Sequence, residues 1–94
     1  MKVQVKTIFA MEQYVGGEKS QELDLDDGST LADALLQLIH RYGPALEEKL
    51  LDGNALQKGM VVYVNGRNSL VLDYLDTPLE DGDDVLIMPP VGGG

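Results

Sequence analysis

The sequence predicts an α+β domain in which one main helix covers a small mixed sheet of about five strands. Three observations predict it. Alternating β-type segments flank a Gly–Gly pair near the start, a single stretch of helical periodicity holds the centre, and apolar runs separated by turn dipeptides fill the second half. At 94 residues the chain is the size of one domain with one modest core.

The first strand is expected within residues 2–10, where Val3, Val5, Ile8 and Phe9 supply β-type residues. The alternation slips near Lys6–Thr7, so either Thr7 points inward or a bulge sits there. Gly16–Gly17 marks a turn, and QELDLD alternates again with Leu23 and Leu25 on one face, which makes an opening antiparallel pair. The helix follows: Leu31, Ala34, Leu35, Leu38, Ile39 and Tyr42 share one side. Thr30 caps it, Asp33 stands where a capping box and the helix dipole both favour an acid, and Gly43–Pro44 stops it. Residues 45–51 predict a short second helix through Leu46 and Leu50, and DGNALQKG reads as loop. MVVYVNG is a strand closed by Asn65–Gly66. SLVLDY suggests another short strand, TPLEDGDD a turn with one helical turn at Pro78–Glu80, and DVLIM the last strand, ended by Pro89 because proline cannot donate to a ladder. The order is β-β-α-β-β-β, with residues 1–89 as the folded domain and 90–94 as a flexible glycine-rich tail.

Apolar residues make up 44 % of the chain, ordinary for a soluble globular protein, and there is no cysteine. Disulfides, thiolate metal sites and cysteine-held iron–sulfur clusters are excluded, and a reducing compartment fits. A net charge of −9 argues against nucleic acid and against anionic membrane surfaces as partners, while it favours a basic protein partner or plain solubility. With no long apolar segment and no leader-like start, the expectation is a cytoplasmic protein.

Side-chain chemistry offers few sites. His40, the one histidine, falls on the polar side of the helix. Ser20, Ser29 and Ser69 lack evident base and acid partners for a triad. DLDDGST fails the calcium-loop spacing, since glycine stands fifth from Asp24 and Leu35 holds the twelfth place; EDGDD fails it too and reads as a solvated turn. Gly16–Gly17 lacks the helix that would make a phosphate loop. Arg67 and Lys58 read as surface residues.

The segment from 63 to 94, YVNGRNSLVLDYLDTPLEDGDDVLIMPPVGGG, carries a resemblance. Val64-Asn65-Gly66, Thr77-Pro78-Leu79, Asp81-Gly82-Asp83, Val85, Ile87 and Pro89-Pro90-Val91 before terminal glycines resemble, in order and spacing, the end of the small sulfur carriers of the MoaD/ThiS group. Within that group the length and Pro89-Pro90 are most similar to the small subunit of molybdopterin synthase. IFA and STLADALLQLI agree more loosely, residues 43–59 match poorly, and this chain has three terminal glycines where the group usually has two.

The resemblance implies a ubiquitin-like β-grasp fold with the first and last strands side by side. It also implies that Gly94, preceded by Gly93, carries the reacting carboxylate. A carboxylate is ionised at neutral pH and a poor electrophile. A ubiquitin-activating-like adenylating enzyme would supply the ATP and magnesium that convert it to an acyl-adenylate; a sulfur donor would then leave a thiocarboxylate. The implied second partner is the large subunit of molybdopterin synthase, in dithiolene assembly. Sulfur donation to thiamine, to amino acids or to tRNA, and conjugation to proteins, stay open within the class. A β-grasp interaction module with an inert tail is the alternative outside it.

Glycine suits such a tail physically: Gly92, Gly93 and Gly94 have no Cβ to obstruct a narrow tunnel, while Pro89 and Pro90 stiffen the base below Val91. Ordering five tail residues costs about 5–10 kcal/mol of backbone entropy, so the folded body must supply the affinity. Leu86 and Met88 lie on the strand face opposite Val85 and Ile87, which puts Met88 outward; the resemblance adds Phe9 and Leu72 to a docking surface on the open sheet face.

Overall fold

A computed structural model of the chain describes residues 1–90; the expectations for Val91, Gly92, Gly93 and Gly94 lie outside the described residues. Five strands form one mixed sheet: β1 (Lys2–Thr7), β2 (Ser20–Asp24), β5 (Val61–Val64), β6 (Arg67–Asn68) and β7 (Asp84–Met88), in the order β2-β1-β7-β5-β6. The first and last strands run parallel in the centre, Val5 against Val85 and Thr7 against Ile87, as the β-grasp arrangement requires. Helix α1 (Leu31–Tyr42) covers one face, and α2 (Pro44–Leu50) continues beyond it. The remaining strands, β3 (Leu51–Asp52) and β4 (Ala55–Leu56), pair with each other.

Local chemistry explains the helices. The Thr30 hydroxyl accepts from the Asp33 amide at 3.4 Å, and an Asp33 carboxylate oxygen accepts from the Thr30 amide at 2.8 Å, a complete capping box. Leu31, Ala34, Leu35 and Leu38 are buried on the sheet, with Ile39 and Tyr42 half-buried at its margin. Pro44 opens α2 at a position where no amide is needed, and Leu46 and Leu50 pin it to the core. The sheet contributes Val3, Val5, Leu23, Val62, Val64, Val85 and Ile87, and Leu25 follows just after β2.

Thr7 points inward, which resolves the slip in the first strand without a bulge. It is buried, and its hydroxyl donates to the Glu18 carbonyl at 3.2 Å, so the polar group is satisfied there. The strand ends at Thr7 rather than running through Phe9, because Phe9 and Ala10 take left-handed backbones, φ 54° and 68°. A 3₁₀ turn at Met11–Tyr14, unmarked by periodicity, then buries Met11.

Three further expectations are corrected. DGNALQKG is not plain loop: β3 and β4 turn through Gly53–Asn54, and the Gln57 side chain donates to the Glu48 and Leu51 carbonyls at 3.0 and 2.8 Å. SLVLDY is not a strand but two 3₁₀ turns, Ser69–Val71 and Tyr74–Asp76. Asn68 starts the first by accepting from the Leu70 amide at 3.0 Å, and the Tyr74 hydroxyl accepts from the Leu56 amide at 2.8 Å. Pro78–Glu80 makes no helical turn. Its stretch lies extended against the entry to α1, with the Leu31 amide donating to Thr77 at 2.9 Å and the Leu79 amide to Ser29 at 3.0 Å. Asn65–Gly66 closes β5 onto β6 with φ 51° and 80°, the hairpin pair that such a dipeptide favours.

Candidate functional site

Helix α1 occupies only one face of the sheet, so the other is set by what β1, β2, β5 and β7 present outward. Its β2–β1 half is polar: Glu22 and Asp24 beside Lys2, Gln4 and Lys6. Its β7–β5 half is apolar. Leu86 pairs with Tyr63, and Met88 pairs with Val61, all four half-buried, and Lys6 flanks Leu86 from β1. Together with Asn65, Gly66 and Asp84, the Leu86–Tyr63–Met88 side of this face lines a shallow groove of about 410 Å³. Lys6 and Asp84 form an ion pair at 3.8 Å along its margin, both about half exposed.

The structure separates the three docking residues expected from the sequence. Met88 is half-buried on the open face, at the C-terminal end of β7. Phe9 is 60 % exposed and lies two residues past Thr7, which pairs with Ile87, so it belongs to the same end. Its left-handed φ of 54° is costly for an aromatic residue, on the order of 1–3 kcal/mol, and holds the ring away from the core. Leu72 stands elsewhere. It is half-buried against the core and borders Val64, Asn65 and Thr77, at the opposite end of β7.

Sequence reasoning missed Leu70 and Val71, which are 70 % and 68 % exposed. Leu70 borders a second groove of about 220 Å³ with Gly59, Met60 and Val61. The available signal was SLVL itself: two consecutive outward apolar residues are incompatible with a strand that alternates faces.

At the end of β7, Pro89 is buried and Pro90 is exposed, so the described chain leaves the body at the top of the central strand. Pro90 lies against Gly59, where an added Cβ would stand 2.8 Å from the Pro90 Cβ. Of the other candidates, Ser69 is buried with its hydroxyl unpaired among the described residues, while Ser20, Arg67 and Lys58 are exposed. His40 is exposed. In the acidic turn Asp83 accepts from Asn65 Nδ2 and from the Glu80 amide, each at 2.8 Å, and Asp81 accepts from the Lys2 amide at 2.7 Å. Among the described residues, no group of three or more acidic or histidine side chains is placed to hold a metal ion, and no helix is long and apolar enough to cross a membrane.

With an uncovered apolar half-face and an exit at the end of the central strand, comparison with known proteins becomes decisive. The model of the ThiS family matches residues 7–94. The chain belongs to this family of ubiquitin-like sulfur carriers and small modifiers. Its relatives include the small archaeal modifier protein 3 of Haloferax volcanii, 37 % identical over 92 % of each chain. The molybdopterin synthase sulfur carrier subunit of Chlamydomonas reinhardtii is 33 % identical over 98 % of this chain and 100 % of its own. The sulfur carrier protein CysO of Mycobacterium tuberculosis is 31 % identical over the whole of both. Among solved structures, SAMP1 of Haloferax volcanii superposes with a TM-score of 0.83 at 27 % identity, covering both chains fully. The BexX/CysO complex of Amycolatopsis orientalis contains a chain with a TM-score of 0.84 at 28 % identity, covering 98 % of this chain and 99 % of that one. The relatives therefore spread over modifiers, molybdopterin-synthase subunits and CysO, and do not single out the molybdopterin-synthase type expected from the tail.

Proposed function

We propose that this chain carries sulfur on the carboxylate of Gly94 and delivers it to dithiolene assembly in molybdopterin synthesis, as the small subunit of a synthase. The observation that carries the reading is the siting of Pro90, exposed at the end of the central strand and adjoining an apolar half-face that the fold leaves uncovered. A body is thereby available for docking beside the segment that would enter a partner's site. The 33 % identity to a molybdopterin synthase sulfur carrier subunit supports the choice of acceptor.

The chemistry needs no catalytic side chain of this protein. A Gly94 carboxylate oxygen attacks the α-phosphorus of ATP in the adenylating enzyme, and magnesium pyrophosphate leaves. A hydrosulfide-level sulfur nucleophile then forms a C–S bond at the carbonyl carbon as the C–O bond to AMP breaks, and AMP departs with the electron pair. The product is a thiocarboxylate. The body's part is to dock: Met88, Leu86, Val61 and Tyr63, with Phe9 at the same end, offer the apolar area that the slender tail lacks. Leu70, beside Gly59, extends that area better than Leu72 does.

The test is intact-mass analysis after incubation with the cognate adenylating enzyme, ATP, magnesium and a sulfur source. The mass is expected to rise by the difference between sulfur and oxygen, and removal of Gly93–Gly94 to abolish the rise. An unchanged mass beside a competent enzyme would leave a docking module with an inert tail. Addition of a molybdopterin synthase large subunit is then expected to give a stable complex and consume the thiocarboxylate; a thiocarboxylate spent only on another acceptor overturns the molybdopterin assignment. Conjugation to proteins is the second reading, favoured by the 37 % identity to a small archaeal modifier, and it would show as an isopeptide-linked adduct.

A further inference from the structure

Gly59 has an evident local role. The Met60 amide donates to the Gln57 carbonyl at 2.9 Å, closing a turn in which Gly59 is the third residue, with φ 82°. Such turns take glycine there, and asparagine is the side chain that tolerates the position at a strain cost. The surroundings add a second demand that the turn does not explain. A Cβ at Gly59 would lie 2.8 Å from the Pro90 Cβ, closer than packed atoms tolerate, and 3.4 Å from its Cγ. Gly82 makes the contrast: its φ is 88°, and a Cβ there would meet nothing within 4 Å. Gly82 donates its amide to the Lys2 carbonyl, at the far end of the sheet from Pro90.

We propose that Gly59 is a positioning residue for the carrier arm: its bare α-carbon seats Pro90, and that seat sets the direction in which the chain leaves the body at Pro90. Proline has a fixed φ and a rigid ring, which leaves ψ as the one backbone torsion of Pro90 able to absorb a displacement. A side chain at Gly59 lifts Pro90 from this seat. This rests on the sulfur-carrier reading for its catalytic consequence, though the seat itself is a property of the folded chain alone.

Gly59→Asn keeps a residue that tolerates the turn but places a side chain against Pro90; Gly82→Asn imposes the same backbone conformation in open space. Gly59→Asn is expected to lower kcat for thiocarboxylation by about ten- to a hundredfold, the scale of an ångström-sized misplacement. Gly82→Asn is expected to leave kcat within about twofold. In a Pro90→Gly background, where the ring is gone, Gly59→Asn is expected to have no further effect. Wild-type kcat in Gly59→Asn, or an undiminished loss in the Pro90→Gly background, overturns the proposal. A second measurement needs no enzyme: the backbone amide NMR signals of Val91–Gly94 are expected to shift with Gly59→Asn and not with Gly82→Asn. Unshifted signals overturn the seat even if the chain is never thiocarboxylated, whereas shifted signals with no thiocarboxylation of the wild type would sustain the seat and sink the carrier reading.

Discussion

Val85 and Ile87 are wholly buried beneath α1, whereas Leu86 and Met88, alternating with them along β7, stand on a face that no described element covers. A sheet packed on one side normally turns polar residues to the other. The β2–β1 half obeys, with Glu22, Asp24, Lys2, Gln4 and Lys6 outward; the β7–β5 half does not, with Leu86, Met88, Val61 and Tyr63 outward. The breach of alternation is local, and its neighbour is the exposed Pro90. A strand apolar on both sides in an otherwise one-sided sheet holds the fold with one face and leaves the other as an uncovered apolar patch.

Substitutions on the two faces should therefore part company. The largest effect is expected inside: Ile87→Ala should lose about 3–4 kcal/mol of stability in urea titration, through lost transfer energy and an unfilled cavity. A loss below about 1 kcal/mol would mean that the inner face is not the one the fold depends on. Met88→Asp should do the reverse. Its affinity for the adenylating partner, followed by calorimetry, should fall about ten- to a hundredfold, or ~1.4–2.7 kcal/mol, while stability moves by less than about 1 kcal/mol.

A subtler case is Phe9, an exposed aromatic residue strained by its left-handed backbone. Phe9→Gly should raise thermal stability by about 0.5–1 kcal/mol and weaken docking at the same time. Stability and docking that fall together would place Phe9 with the core instead. The smallest effect is expected at the margin. Lys6→Ala removes an ion pair of 3.8 Å between side chains that are each about half exposed, and should change stability by less than about 0.5 kcal/mol. A larger loss would mean that the groove's edge contributes to holding the sheet.

The elements with strong periodicity or strong turn chemistry were legible in the sequence, and the reasons are local. Six residues at helical spacing, a threonine cap and an Asp33 partner leave α1 few alternatives. Asn65–Gly66 and Pro89 punctuate β5 and β7 in the same way. Short elements held by side-chain hydrogen bonds were not legible. Tyr74 reaching the Leu56 amide and Gln57 reaching two carbonyls of α2 and β3 depend on contacts across the fold, and no window of neighbours reveals them. The site divides similarly. Met88 followed from strand parity. Leu72 did not share its location, because the stretch before it forms 3₁₀ turns and puts Leu70 and Val71 outward instead. The seat for Pro90 joins residues thirty-one apart in the chain and was invisible until both were placed.

The pairing of β1 with β7 also bears on how the protein comes into being. On its other side from β2, β1 pairs only with β7, Gln4 against Asp84, and β5 meets the same strand, Val64 against Val85. While a ribosome still holds the last strand, the earlier ones have no middle to close on, and such distant pairings form slowly. Completion of the sheet thus waits for β7, and the apolar half-face that carries Leu86 and Met88 exists only once that strand is in place.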